Sequence, residues 1–155
     1  MSSHPLLREG QLLKVTAFVD GASRGNPGPA GYGVYMTTDR GEIISVAGYL
    51  GTATNNVAEY AGLLDALAMA TEEGATEVEV ISDSLLLVNQ MLGKFRVKHA
   101  NLIPLHQKAQ QMAHRFRRFA IRHTPRAGNK EADKLANLAV DRAEGRLVER
   151  RRVDS

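Results

Sequence analysis

The order of its predicted elements indicates that this chain folds as an α/β protein, with one five-stranded mixed sheet flanked by helices. Strand and helix patterns follow one another as β-β-β-α-β-α-α-β-α, an order typical of a single sheet covered by helices. The turn at Asp39-Arg40-Gly41 makes the second and third strands a hairpin, so the first three strands form an antiparallel meander. Helical crossovers on either side of the fourth strand place the fourth and fifth strands parallel to the first.

The first three strands are predicted before residue 51. In residues 12–20 both alternating sets contain apolar or β-branched side chains, as in a central strand buried on both faces. Residues 21–29 contain three Gly and two Pro and are predicted to form a loop. The second and third strands then cover residues 31–38 and 42–50.

The remaining elements alternate between helix and strand. An apolar face at helical spacing predicts a helix over residues 56–72. It is followed by a strand at 77–82, helices at 84–92 and 101–115, a strand at 116–123 and a last helix at 129–144. We expect three parts: a flexible leader (1–10), one folded domain (11–145) and a charged C-terminal tail (146–155) that frays.

Composition restricts the kind of protein this is. The 155 residues suit one domain, and 43% are apolar, enough for a core of mostly Leu, Val, Ile and Ala. The absence of Cys excludes disulfides and thiolate metal sites, and fits a reducing compartment. No apolar run has the length of a signal peptide or a membrane span. We therefore expect a soluble cytoplasmic protein that contacts no membrane and has no obligate protein partner.

Charge is distributed unevenly along the chain. The net charge is +3, but residues 84–130 contain ten basic residues and no acid, so this segment is +10 and the rest of the chain is 3 − 10 = −7. One explanation is an ordinary solvated face, and the other is a surface that binds a polyanion. The lack of any compensating carboxylate favours the polyanion.

Four carboxylates stand at strand ends or helix starts: Asp20, Glu59, Asp83 and Asp133. Each has a local explanation, respectively a turn, a capping box, an N-cap and a helix-dipole contact. The fold, however, directs all four to the edge where parallel strands end, which is where open α/β sheets bind ligands. Clustered acids repel one another unless cations fill the cluster, and Mg²⁺ prefers oxygen ligands.

Four segments then carry a resemblance to a known family. They are Asp20-Gly-Ala-Ser-Arg-Gly-Asn-Pro-Gly-Pro29, Thr54-Asn-Asn-Val-Ala-Glu59, Ser82-Asp83-Ser84 and Asn129-Lys-Glu-Ala-Asp133. In order and spacing they resemble the signature segments of type 1 ribonuclease H, over roughly residues 13–142. The resemblance implies the ribonuclease H-like fold and a metal-dependent endonuclease that cleaves the RNA strand of RNA–DNA hybrids. It also implies Mg²⁺, with Mn²⁺ as a substitute, as two ions per site that activate the attacking water and stabilise the 3′ leaving oxygen.

The resemblance assigns roles residue by residue. The four acids become metal ligands, and Asp20 bridges both ions. His123 matches the family's flexible histidine, although Pro125 departs from the usual Gly-rich loop, and Arg126 competes for the same role. Six residues match substrate contacts: Ser23, Arg24, Asn26, Thr54, Asn55 and Asn56. Asn side chains both donate and accept, so they can bind the 2′-hydroxyl that distinguishes RNA from DNA; helix capping is the alternative for Asn55 and Asn56.

Two departures from the family pattern affect substrate binding. Many members insert a basic helical protrusion after the second helix, and residues 93–100 are too few for it. This is therefore a short form, in which the candidates for hybrid affinity are Lys94, Arg96, Lys98 and, in the third predicted helix, Lys108. Leu85 replaces a polar groove contact of some relatives. Two other functions stay open: a non-catalytic nucleic-acid-binding module, and another nuclease, such as an exonuclease, on the same fold.

Overall fold

A computed structural model describes residues 12–153 of the chain. The predicted leader, residues 1–10, lies outside the described residues. Within residues 12–153 the elements are β1 (Lys14–Ser23), β2 (Gly28–Thr38), β3 (Glu42–Ala53), α1 (Asn55–Glu72), β4 (Glu77–Ser82), α2 (Leu85–Met91), α3 (Ile103–Ala113), β5 (Arg118–His123), a short 3-10 turn (Arg126–Gly128), α4 (Lys130–Arg142) and β6 (Arg146–Arg152).

All six strands belong to one mixed sheet in the order β5-β4-β1-β2-β3-β6. β1, β2 and β3 are antiparallel neighbours, whereas β4 runs parallel to β1 and β5 runs parallel to β4. The predicted α/β class and the directions of the five predicted strands are confirmed. Because β1, β4 and β5 point the same way, they finish at one end of the sheet, which we call the Asp20 end.

The predicted loop over residues 21–29 is shorter in the structure. β1 continues to Ser23 and β2 already begins at Gly28, so residues 24–27 alone reverse the chain. Gly25 and Asn26 adopt positive φ angles of 118° and 30° there, a conformation that glycine reaches without a steric penalty. The loop prediction is therefore wrong for the flanking residues, because Gly and Pro mark a tight turn between two long strands.

The C-terminal segment is a strand, so the sheet has six strands where five were predicted, and the expectation of fraying is wrong for residues 146–152. β6 pairs antiparallel with β3. Two arginines hold it to α1 and its C-cap: Arg146 makes two hydrogen bonds of 2.9 Å to Asp65 of α1, and Arg150 lies 2.9 Å from the buried carboxylate of Glu73, which follows the helix. Two of the charges that suggested a solvated tail thus form cross-element ion pairs.

Helices cover both faces of the sheet. Leu63 and Leu67 of α1 share one buried cluster with Val15 and Val34 of the sheet. α4 lies on the opposite face, over glycines of β2. No helix between residues 12 and 153 has the length and apolar composition needed to cross a membrane.

Candidate active site

The register of two parallel strands brings Asp20 and Asp83 together. Val19 of β1 is level with Ser82 of β4, so the residues that follow lie side by side at the Asp20 end. Asp20 belongs to β1 rather than to a turn. Ser84, not Asp83, caps α2, since its hydroxyl accepts a 3.1 Å hydrogen bond from a backbone N–H of that helix. The turn and N-cap explanations of these two acids are therefore wrong.

Glu59 reaches the same place because α1 packs directly on β1 at Gly21. A Cβ at Gly21 would collide with the backbone of Ala58 and Glu59, so a side chain there would push the helix away. The Thr54 hydroxyl caps α1 by accepting from the N–H of Val57 at 3.2 Å. The capping-box interpretation of Glu59 is thus wrong, and so is the capping alternative for the two asparagines that open the helix.

Asp133 lies in the first turn of α4, and two contacts hold this turn against the sheet. Gly33 of β2 leaves room for the helix, because a Cβ there would lie 2.6 Å from Cβ of Leu135. Asn129, which precedes the helix, is buried and donates from Nδ2 to the carbonyl of Val19 at 2.8 Å. Since Val19 directly precedes the aspartate of β1, this bond fixes the start of α4 to the strand that carries the central acid.

Three of the four predicted acids form a tight group. One carboxylate oxygen each of Asp20, Glu59 and Asp83 lies within 4.8 Å of the others. Asp133 is beside them and interacts with Asp20 through its side chain. Asp20 and Glu59 are only 6% and 4% exposed. Among residues 12–153, Oε2 of Glu59 finds no hydrogen-bond partner although it is buried, so a buried acceptor is left for a group other than these residues.

Burial and the crowding of these acids raise the pKa values of Asp20 and Glu59. Burial, followed by the charge of Asp83 and by contacts with Asp133, raises the pKa of Asp20 from 3.8 to about 8. Burial, with the charges of Asp20 and Asp83, also raises the pKa of Glu59 well above its ordinary value. A cation relieves both effects. Because the donors are all carboxylate oxygens, the residues present fit a hard divalent cation rather than a soft one.

An open cleft of about 540 Å³ surrounds the acids. Of the predicted substrate contacts, Ser23, Arg24 and Asn55 line it, together with all four acids and Arg126. The other three predicted contacts, Asn26, Thr54 and Asn56, line a second cavity of about 150 Å³. The polar residues His99 and Asn101 line it as well. The two cavities adjoin, since Oδ1 of Asn26 accepts from the N–H of Asn55 at 2.8 Å. All six predicted contacts therefore lie at the Asp20 end.

Arg126 and His123 have different positions relative to the cleft. Arg126 lines it, and its Nε lies 4.0 Å from Oδ2 of Asp83. His123 ends β5 level with Ser82 and is exposed, but it is not among the residues that line the cleft. Of the two candidates for this one role, Arg126 thus lies at the cleft and His123 lies outside its lining.

The ten basic residues of the acid-free segment do not form one surface. Lys94, Arg96 and Lys98 are exposed in the connection between α2 and α3, which contains no helix and therefore no protrusion. Lys98 adjoins His99, a lining residue of the second cavity. Arg118 instead begins β5, and so lies at the end of the sheet opposite Asp20. The first three remain candidates for hybrid binding.

Several polar residues of the site were missed by sequence reasoning. Asn137 lines the cleft and donates from Nδ2 to the backbone carbonyl of Asp133 at 3.0 Å. Its spacing, four residues after Asp133 on one helix face, is a signal that could have found it. Asn129 stands out in the sequence only as part of the fourth motif. His99 and Asn101 line the second cavity because the connection between α2 and α3 folds over it, and the local sequence gives no signal of this.

Similarity to known proteins agrees with this geometry. Residues 18–139 match a family model described as reverse transcriptase-like. A bifunctional protein of Mycobacterium tuberculosis is 50% identical over 133 residues, which are 84% of this chain but 36% of that protein, so the chain spans about a third of this relative. RNase H1 from Halobacterium salinarum superposes with a TM-score of 0.80 at 40% identity, covering 84% of this chain and 99% of that one. LC11-RNase H1, solved in complex with an RNA/DNA hybrid, gives 0.77 at 38% identity and covers 83% and 98%. The chain belongs to the type 1 ribonuclease H family.

Proposed function

We propose that this chain is a metal-dependent endonuclease that hydrolyses the RNA strand of RNA–DNA hybrids and leaves 5′-phosphate and 3′-hydroxyl ends. The observation that carries the proposal is the buried acidic group with an unpartnered Glu59 oxygen. Carboxylates this close together destabilise a protein unless cations bind them. Pure nucleic-acid binding gains nothing from buried acids beside phosphates, which argues against the non-catalytic alternative.

Asp20, Glu59, Asp83 and Asp133 would hold the metal. When bound, two Mg²⁺ ions, or Mn²⁺ in their place, would activate the attacking water and stabilise the leaving oxygen. Asp20 lies among the other acids, since Glu59 and Asp83 are grouped with it and Asp133 interacts with its side chain, and it would be one of the ligands. Gly21 and Gly33, which allow α1 and α4 to approach the sheet, would keep the ligands from Glu59 and Asp133 in place.

Hybrid recognition would come from the amides and hydroxyls of the two cavities. Asn side chains offer both a donor and an acceptor, so they can satisfy a ribose 2′-hydroxyl. Deoxyribose lacks this hydroxyl, so the contact distinguishes RNA from DNA. Asn55, which lines the cleft, and Asn26 and Asn56, which line the second cavity, would make such contacts. Lys94, Arg96 and Lys98 would add phosphate contacts, so we expect activity to fall steeply as salt rises.

Arg126 would assist at the cleft by holding a phosphate oxygen or the departing product. Its side chain is 90% exposed and its Nε is 4.0 Å from the carboxylate of Asp83, so it can move between the acid and a substrate phosphate. A guanidinium offers five N–H donors and no acceptor, and we therefore assign it charge stabilisation rather than proton transfer.

The decisive experiment is cleavage of four end-labelled substrates with and without Mg²⁺: an RNA–DNA hybrid, single-stranded RNA, duplex RNA and duplex DNA. The proposal expects Mg²⁺-dependent internal cleavage of the hybrid RNA strand alone. Products that depend on a free end would instead indicate an exonuclease, and equal cleavage of duplex RNA would contradict the specificity.

The variant Asp83→Asn separates catalysis from binding. A nuclease should lose turnover by at least about a hundredfold and still bind the hybrid, whereas a binding module should lose nothing. Asp39→Asn, an exposed acid in the β2–β3 turn, is the matched control and should cleave like the wild type.

A further inference from the structure

Arg24, in the turn between β1 and β2, is held by two side chains of α4. Its Nη2 lies 2.7 Å from Oδ1 of Asp141 and 3.4 Å from Oδ1 of Asn137. Asn137 uses its other end on Asp133, with Nδ2 3.0 Å from the backbone carbonyl and 3.4 Å from Oδ1. One turn-to-helix network thus joins a metal-ligand candidate to an arginine at the cleft.

The hydrogen-bond inventory of Arg24 shows what this network leaves available. A guanidinium has five N–H donors in a fixed plane. Both partners contact Nη2, so neither contact falls on Nε or Nη1. Nε–H and the two hydrogens on Nη1 make no hydrogen bond to any residue between 12 and 153. They remain free to bind phosphate, in the planar arrangement that suits two phosphate oxygens.

The ion pair between Arg24 and Asp141 is exposed, because the two side chains are 49% and 62% accessible. Exposed pairs contribute little to folding stability, since water screens them and ordering two side chains opposes them. An acid beside a cleft for a polyanion also repels the substrate. Neither stability nor bulk electrostatics therefore accounts for Asp141 at this place.

We propose that Asp141 and Asn137 are positioning residues that hold the Arg24 guanidinium at the cleft, with its free edge set for a substrate phosphate. This rests on the proposed function, because the phosphate belongs to the hybrid. Pre-organisation lowers the entropy that a long side chain loses on binding. Both residues therefore act through Arg24 on hybrid affinity. Asp141, which does not contact the acids, should leave turnover largely unchanged when it is replaced.

Asp141→Ala tests the proposal with opposite expected signs. Bulk electrostatics predicts tighter hybrid binding when an acid is removed, whereas loss of positioning predicts weaker binding. We expect KM, and the Kd from fluorescence anisotropy in EDTA, to rise about threefold to fivefold, with kcat changed less than about twofold. Glu144→Ala is the matched control. It removes an acid that pairs with Arg142 at the same helix end, and binding should stay equal or tighten slightly.

A double-mutant cycle shows whether the effect runs through Arg24. In an Arg24→Ala background, Asp141→Ala and Asn137→Ala should weaken binding no further. Asp141→Asn keeps an oxygen acceptor and should recover most of the affinity. Unchanged urea midpoints for the single variants keep folding out of the comparison.

Two results would overturn the proposal: an Asp141→Ala variant that binds the hybrid as tightly as the wild type or more tightly, and a loss that persists without Arg24. A wild-type chain that neither binds nor cleaves the hybrid would overturn the proposed function, and this inference with it. Wild-type cleavage with an unaffected Asp141→Ala variant would overturn the inference alone.

Discussion

Replacing Asp20 with asparagine should stabilise the metal-free protein, although Asp20 stands at the centre of the site. Its pKa is raised from 3.8 to about 8, first by burial and then by Asp83 and Asp133. The folded protein therefore keeps a proton that the unfolded chain releases. It follows that wild-type stability is lost as pH rises from about 4 to about 8. Asparagine has nearly the same shape and carries no charge, so it escapes this penalty.

The magnitude follows from the pH interval. At pH 7 about three pH units separate the ordinary pKa from the solution, and each is worth about 1.4 kcal/mol, which gives a ceiling of about 4 kcal/mol. We expect Asp20→Asn to raise the free energy of unfolding by about 2–4 kcal/mol at pH 7 and by about 1–2 kcal/mol at pH 5. Relief of the repulsion on Glu59 acts in the same direction.

Urea unfolding in EDTA at both pH values measures this effect. Asp39→Asn, an exposed acid far from the cluster, is the control and should change stability by less than about 0.5 kcal/mol. Adding Mg²⁺ should stabilise the wild type and have much less effect on Asp20→Asn. Asp20→Asn that is no more stable than the wild type at pH 7, or a gain that grows toward pH 5, would refute the reasoning.

Three further changes test other parts of the structure. Arg150→Met leaves the buried carboxylate of Glu73 without its cation and should lower the unfolding free energy by about 1–3 kcal/mol. Arg151→Met, on the opposite face of β6, should change it by less than about 0.5 kcal/mol, and equal losses in urea titrations would contradict the ion-pair role. Gly21→Ala should displace α1, reduce stability by about 2–4 kcal/mol and abolish hybrid cleavage; a variant as active as the wild type would show that the helix does not need this close approach. Arg126→Ala should lower kcat on the same labelled hybrid by about tenfold or more, and His123→Ala should lower it by less than about threefold. A larger loss for His123→Ala would assign the assisting role at the cleft to the histidine.

Local patterns predicted the fold class and the place of the acids because both depend on short segments. The apolar face of α1, and the run of residues 77–82 that became β4, specify their own structure. Parallel register then places Asp20 beside Asp83 without further information. The exact partners of these acids did not follow, because the capping residues Thr54 and Ser84 compete with neighbours of similar chemistry.

The sixth strand could not be predicted because long-range contacts stabilise it. Residues 146–152 contain five charged side chains and no apolar alternation, so a local reading gives a solvated tail. Two of their arginines, Arg146 and Arg150, pair with Asp65 and Glu73, about eighty residues away in sequence. Strand preference is in large part a matter of what lies across the sheet. The basic residues of 84–130 also could not be assigned to one surface from sequence alone. They are continuous in the chain, but the fold puts the start of β5 at the end of the sheet opposite Asp20.

β6 also determines where the polypeptide leaves the molecule. β6 is antiparallel to β3 and runs away from the cleft for roughly 20 Å. The N–H of Val153 then donates to the carbonyl of Gly41 in the β2–β3 turn, close to where β1 begins. Both ends of residues 12–153 therefore emerge on the side opposite the acids. A fluorophore, an affinity handle or a second domain joined at either end of residues 12–153 would lie on the side away from an incoming duplex. The protein can therefore be tethered to a surface with its cleft facing solution.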